Sequence, residues 1–436
     1  MRYEPIDNTL FRDNRARLAA LLAPRSLAVL NANDIMPTNA DGVMGFKQNA
    51  DLFYLSGVDQ PEATLLLYPD HPDPKQREIL FVKETNETMR IWDGPMLTKD
   101  EARAVSGVQN VQWMHAFEGA FRGLMQRAEA VYLNLNEHAR SASAVPTHDD
   151  RFGRECRERY PLHSYQRLAP LLARCRMVKS AVEIEQIRQA CAITEAGFRR
   201  LLGVLRPGLG EWELEAEFAH EFLRRRALGF AYPPIIASGA SSCILHYCQN
   251  HGTCKEGEVL LLDVAACWAH YCSDLTRTVP VSGRFSPRQR AVYEAVLRVQ
   301  RQCLARLRPG VMLKEHENEV KHLMDDALIE LGLLTAEAVK NQSEDDPPRR
   351  RYYMHGSSHH LGLDTHDVTV PDLPLEPGMV VTVEPGIYIR EENLGVRLEQ
   401  TVLITPTGNE DLLASVPIEP AEIEALLARP RPRRKR

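Results

Sequence analysis

Between Met354 and Asp367 the chain reads MHGSSHHLGLDTHD, a short stretch holding four histidines: His355, His359, His360 and His366. A lone histidine is more often a satisfied core residue than a ligand. Four so close together, among two glycines and two aspartates, make a poor core segment. Neutral imidazole offers a lone pair near neutral pH and its charge is easily tuned, so the cluster points to metal ligation and substrate contacts.

Carboxylates that could serve with them lie elsewhere. The aliphatic run VLLLD ends on Asp263, and Asp274 follows eleven residues later on the expected return strand. A hairpin there would bring the two acids together. MVVTVEPG ends a second aliphatic run on Glu384, and GVRLEQTVLI sets Arg397 and Glu399 two apart. As a strand, it turns both side chains to one face, with Val396 and Leu398 on the other. A bare carboxylate at the end of a buried strand is costly. Two divalent cations would offset the formal charges of Asp263, Asp274, Glu384 and Glu399, and His359 completes the donor set. Oxygen donors with a single nitrogen favour Mn²⁺, with Co²⁺ or Zn²⁺ admissible.

The elements that must position these residues fall into two regions. Strand patterns at SLAVLNA, ATLLLYP, REILFVK, VQWMHAF and AVYLNLN alternate with helical stretches from Arg12 to Leu22 and near Glu118 to Arg127, which predicts a mixed α/β domain over residues 1–174. A long helix then opens behind Ser180 and Glu183, spaced as a capping box. From here the sequence repeats itself. A helical stretch, the turn Leu205–Gly208 (LRPG) and a second helix ending at ALG return 102 residues later as helix, LRPG at Leu307–Gly310, and a helix ending at ELG. Two helix pairs, each followed by strands, predict a pseudo-symmetric domain over residues 175–420, with a central sheet and the site between its halves. Residues 421–436 read as a basic tail without fixed structure.

With 436 residues, 44% hydrophobic and 26% charged, the composition is that of a globular protein. A net charge of −6 gives no general attraction to nucleic acid or anionic lipid. Neither a signal peptide nor a membrane-spanning run is read from the sequence. Nine cysteines with no C-x-x-C pair predict reduced thiols in a cytoplasmic protein.

The order Asp263, Asp274, His359, Glu384, Glu399 resembles the five-ligand, two-metal site of the pita-bread metallopeptidases, a group that includes methionine aminopeptidase, prolidase and aminopeptidase P. The motifs LLD…SDLTRT, HGSSHHLGLDTHD, VEPGIYI and GVRLE carry the likeness over Lys179 to Pro417, and NRARL, FKQNADLFYLSGVDQPEA and IWDGP extend it toward aminopeptidase P. The resemblance implies an α/β N-terminal domain and a pita-bread catalytic domain whose curved antiparallel sheet is flanked by helices. It implies that Asp263 chelates one metal, Asp274 and Glu399 bridge both, and His359 and Glu384 bind the other. His246 would stand near the substrate, with His355 and His366 lining the pocket for its proline side. Arg397 would support the site, Tyr388 would lie beside it, and Trp92 would reach a neighbouring subunit. Ala265 departs from the family's common glycine, and His360 from its common aromatic.

The implied reaction is hydrolysis of the Xaa-Pro bond that frees the N-terminal residue, by a metal-bridged hydroxide with Glu384 shuttling the proton. The implied partners are peptides with proline in second position and further copies of the chain, as a dimer or tetramer. The rival readings are a prolidase restricted to Xaa-Pro dipeptides, a creatinase-like hydrolase without the metal set, and a non-catalytic binding protein on the same fold.

Overall fold

The computed structural model describes residues 3–141, 144–343 and 345–428. It divides into two compact units, one of residues 3–176 with 368–370, the other of residues 177–367 with the chain from Pro371 on.

The first unit is built on a six-stranded sheet. Its order is Asn110–Trp113, Glu78–Val82, Thr64–Leu67, Ser26–Asn31, Ala130–Leu133, Ser164–Arg167. The strand Thr64–Leu67 runs antiparallel to both its neighbours, and the other pairings are parallel. Every residue of Ser26–Asn31 and of Thr64–Leu67 is buried, as expected for near-continuous aliphatic strands covered on both faces. Leu27, Val29, Leu66 and Phe81 pack on Phe117 and Phe121 of the helix Phe117–Met125. The segment read as the strand VQWMHAF is extended only to Trp113. A 3-10 turn, Met114–Ala116, then starts that helix. Trp92 lies on the short helix Glu87–Asp93.

In the second unit, Ser180 and Glu183 form the capping box at the head of the helix Ala181–Val204. The repeat is visible in the backbone. Helices Ala181–Val204 and Glu211–Arg224 correspond to Pro287–Arg306 and Leu313–Glu330. Gly208 and Gly310 turn the chain with φ of 86° and 89°, which a side chain disfavours. Gly208 N–H donates to Cys254 O and Gly310 N–H to Leu375 O, both at 2.8 Å; Cys254 N–H returns to Leu209 O, and Leu375 N–H to Val311 O. An isolated bridge Gly210↔Thr253 is matched by Met312↔Pro374.

Each turn is thus pinned to the segment that leads into a strand. Those strands are Val259–Asp263, between Ile235–Ser238 and Thr276–Pro280, and Val380–Val383, beside Gln400–Thr405. Two further antiparallel ladders, Gly386–Ile389 with Leu394–Arg397, and Gly229–Phe230, Ala266–Trp268, Tyr271–Cys272, complete the layer. Among the described residues, the antiparallel strands of this unit form four separate hydrogen-bonded sheets.

Two local expectations need correction. Arg397 and Glu399 do not share one strand: Leu394–Arg397 pairs with Gly386–Ile389, whereas Gln400–Thr405 pairs with Val380–Val383, so the chain changes sheets between them. The region read as an unstructured tail from residue 421 begins instead as the helix Pro420–Leu427, with Ile423 and Leu427 buried; residues 429–436 lie outside the described residues. Among the described residues no helix is long and apolar enough to cross a membrane.

An added Cβ at Gly208 or Gly310 meets no atom within 4 Å, so alanine there tests backbone conformation alone. Gly208→Ala and Gly310→Ala should each destabilise the fold by about 1–2 kcal/mol. Because the two turns are equivalent, the losses in denaturant unfolding should match; a loss at only one turn contradicts the symmetry.

Candidate active site

Asp263 and Glu384 each stand at the end of a buried strand. Asp263 is the last residue of Val259–Asp263, opposite Thr276; Glu384 follows Val380–Val383, and its N–H donates to Ser357 O at 2.8 Å. Asp274 is not on the return strand, as expected, but two residues before it: that strand is Thr276–Pro280, and a further short hairpin, Ala266–Trp268 with Tyr271–Cys272, lies between the two acids. Thr401 fixes Asp274 from both sides: the Asp274 N–H donates to Thr401 Oγ1 at 3.2 Å, and that hydroxyl donates to Asp274 O at 2.9 Å. Tyr232 Oη lies 2.6 Å from Asp263 Oδ1 and 2.6 Å from Asp274 Oδ1, which establishes that the two carboxylates converge.

The remaining groups close the circle. Thr276 Oγ1 donates to Glu399 Oε2 at 2.7 Å and accepts from Arg397 Nε at 3.2 Å. Arg397 and Glu399 therefore reach the same hydroxyl although the chain changes sheets between them. Arg397 Nη2 donates to Asp263 Oδ2 at 2.7 Å and Nη1 to Tyr388 Oη at 2.8 Å. Donor atoms of Asp274, His359 and Glu399 all lie within 4.8 Å of one another. His359 Nε2 is 3.5 Å from Asp274 Oδ2 and 3.6 Å from Glu384 Oε1.

The tautomer of His359 follows from its other nitrogen. Nδ1 lies 3.0 Å from the His360 carbonyl, which can only accept, so Nδ1 carries a proton. In the neutral ring Nε2 then aims its lone pair at two carboxylates, an arrangement that is stable only with a proton or a cation between them. The charges of the acids say the same. Burial, and then the neighbouring charges, hold Asp274 and Glu384 well above the usual carboxylate range, and burial with the charge of Asp263 pushes Glu399 up to about 8. Arg397 supplies one positive charge against four carboxylates. The residues thus fit a pair of divalent cations. Arg397 was absent from the simple charge balance read from the sequence; with it, two such ions leave one positive charge over, which suits an anionic oxygen.

His355 is held at both nitrogens, Nδ1 by Gly356 O and Nε2 by Tyr388 Oη, each at 2.7 Å. Burial lowers its pKa to about 4, so it is neutral at ordinary pH and both nitrogens are engaged. His366 sets its ring edge-on to His359 with centroids 4.5 Å apart. His246 lies on an exposed turn. Trp92 is 84% exposed on its helix.

Several residues here escaped the sequence reading. Tyr232 lies outside every motif. Thr276, in SDLTRT, and Thr401 and Thr382 look like ordinary strand residues; Thr382 Oγ1 accepts from the His359 N–H at 3.1 Å. Glu317, on the helix Leu313–Glu330, accepts from both Ser357 N and Ser357 Oγ and so anchors the peptide between His355 and His359. No spacing rule links it to that loop.

Comparison with known proteins adds the following. The model of metallopeptidase family M24 matches residues 185–406, and that of the aminopeptidase P N-terminal domain matches residues 11–132. The chain is 34% identical to the Xaa-Pro aminopeptidase of Escherichia coli over 430 residues, covering 96% of this chain and 97% of that one. A structure described as a putative aminopeptidase P from Bacillus anthracis superposes with a TM-score of 0.89 at 30% identity, covering 97% and 98% of the two chains. A zinc-substituted E. coli aminopeptidase P in complex with product superposes with a TM-score of 0.85 at 34% identity, covering 97% and 99%.

The buried acids make a prediction about the protein in chelator. Glu399 moves from an ordinary value of 4.5 to about 8 on folding, so between those pH values the native state binds the extra proton and stability falls as pH rises. The melting temperature in chelator should therefore drop from pH 5 to pH 8. Glu399→Gln should flatten that slope and raise stability at pH 8 by on the order of a few kcal/mol. A pH-independent melting temperature in chelator would contradict the charge argument.

Proposed function

Because the chain belongs to metallopeptidase family M24 and carries the N-terminal domain of aminopeptidase P, we propose that it hydrolyses the bond between an N-terminal residue and a following proline, with Asp263, Asp274, His359, Glu384 and Glu399 holding two divalent metal ions. The observation that carries this reading is the convergence of buried carboxylates on the Nε2 of His359. The zinc-substituted relative supports divalent ions, and the oxygen-rich donor set favours manganese. Asp263, Asp274, His359, Glu384 and Glu399 would hold the two ions between them. Bound there, the ions supply Lewis acidity and bring the pKa of a water molecule toward neutrality.

The chain's own residues do the rest. Proline's imide nitrogen has no N–H, so recognition cannot use a donor from the scissile bond and must rest on the shape of the pocket. His355, neutral and tied at both nitrogens, serves there as a wall. His246 and His366, both exposed, are the donors available to a substrate carbonyl and to the oxyanion that forms from it. Glu384 keeps a fifth of its side chain open, more than Asp274 at 6%, and so can accept a proton and deliver it to the departing nitrogen. Arg397 holds Asp263 and Tyr388 in place, and Tyr388 in turn orients His355. Trp92, beside Ile91 at 80% exposure, supports an oligomer in which it meets a neighbouring subunit. A cytoplasmic enzyme is the setting that the composition supports.

Asp274→Ala and Glu384→Ala should abolish turnover while the fold persists with weaker metal binding; full activity in either variant overturns the scheme. Manganese-supplemented assays on Xaa-Pro-Yaa tripeptides beside Xaa-Pro dipeptides should show cleavage of the tripeptides. Cleavage of dipeptides alone would make the protein a prolidase, and absence of bound metal with no turnover would make it a binding protein.

A further inference from the structure

The hairpin between Asp263 and Asp274 holds two cysteines that the proposed hydrolysis does not use. Strands Ala266–Trp268 and Tyr271–Cys272 are joined through Ala269 and His270, both at positive φ, 48° and 68°, as in the tight two-residue turns that suit hairpin twist. Trp268 stands opposite Tyr271, and Cys267 opposite Cys272. Opposed residues in such a ladder alternate between those that bond each other and those that do not. Ser273 N–H donates to Ala266 O at 3.2 Å, whereas the Cys267 carbonyl accepts from Leu228 N–H at 2.9 Å and the Cys272 N–H donates to Gly362 O at 2.8 Å. Cys267 and Cys272 are therefore a non-hydrogen-bonded pair, in which α-carbons approach to about 4.5 Å and side chains on one face stand closest. Disulfides span α-carbon separations of about 4.4–6.8 Å. Cys267 is 9% and Cys272 1% exposed, so only a small, uncharged oxidant can reach them.

We infer that Cys267 and Cys272 are a dithiol that hydrogen peroxide converts to a cross-strand disulfide, and that this modification alters the setting of Asp274. In the first step the peroxide O–O bond breaks as an S–O bond forms on Cys267, giving a sulfenic acid and one water. The Cys272 sulfur then displaces the hydroxyl: the S–S bond forms, the S–O bond breaks, and a second water leaves with the Cys272 thiol proton. The two sulfurs lose two electrons and the peroxide oxygens gain them. The Cys272 sulfur lies 3.8 Å from the Leu363 carbonyl, in the histidine segment. The disulfide takes away the thiol proton that Cys272 donates to that carbonyl, two residues before Asp274. The redox pairing is independent of the metallopeptidase reading; its effect on turnover rests on that reading.

The test uses the full chain with Cys248→Ser, which removes the exposed thiol. After hydrogen peroxide, thiol titration in denaturant should show two thiols lost, with the peptide spanning both cysteines lighter by two hydrogens and restored by dithiothreitol. Cys272→Ser in the same background should form no such bond. Turnover of an Xaa-Pro-Yaa tripeptide should fall several-fold on oxidation, recover with dithiothreitol, and show no dithiothreitol-reversible change in Cys272→Ser. Intact thiols, or a disulfide between other cysteines, overturn the pair. A Cys267–Cys272 disulfide with unchanged turnover and unchanged manganese binding overturns the coupling to Asp274. No turnover in the untreated protein counts against the hydrolase reading alone, since the thiol result is read without it.

Discussion

The catalytic unit is organised around an electrostatic debt: four carboxylates brought into a sparsely hydrated space with one guanidinium among them. No hydrophobic argument favours that arrangement, because each acid would be cheaper to keep in water. Much of the surrounding structure supplies hydrogen bonds to those oxygens. Tyr232 spans two of them, Thr276 serves a third, and Arg397 is committed to Asp263. These contacts orient the acids without neutralising them, as the upward shifts of Asp274, Glu384 and Glu399 record. Acids held so far above their usual range after their protein partners are counted fit divalent cations, which would take the place of the protons.

The histidine segment shows how rigidity is shared out around such a site. His359 is fixed by backbone groups on either side, through Thr382 and the His360 carbonyl, and His355 by Gly356 and Tyr388. Glu317 clamps the peptide that separates them from behind. His246 and His366 are exposed.

Much of this was legible in the sequence because strand-ending acids and clustered histidines are local signals. Asp263 and Glu384 advertise themselves by the aliphatic runs before them, and the LRPG repeat exposes the pseudo-symmetry directly. What stayed hidden is what tertiary packing alone decides. Tyr232 acquires its partners from residues 31 and 42 positions away, and Glu317 meets Ser357 across 40; neither distance leaves a periodic trace. The change of sheet at Leu398 and Glu399 was likewise invisible, since an alternating pattern reads the same whether a strand continues or crosses over. The helix Pro420–Leu427 leaves little trace in the sequence because the arginine-rich stretch after it dominates the local composition.

The matched turns at Gly208 and Gly310 bear on ancestry. Each half contributes a strand ending in an acid, and neither half alone holds a full set of donors. A half-length precursor could have assembled such a centre only by joining a second molecule like itself across a rotation axis. Fusing the two genes would have converted that encounter into a permanent tether, raising the effective concentration of one half near the other. Once tethered, the halves would be released from having to be identical, so that one can carry aspartates where the other carries glutamates and an imidazole.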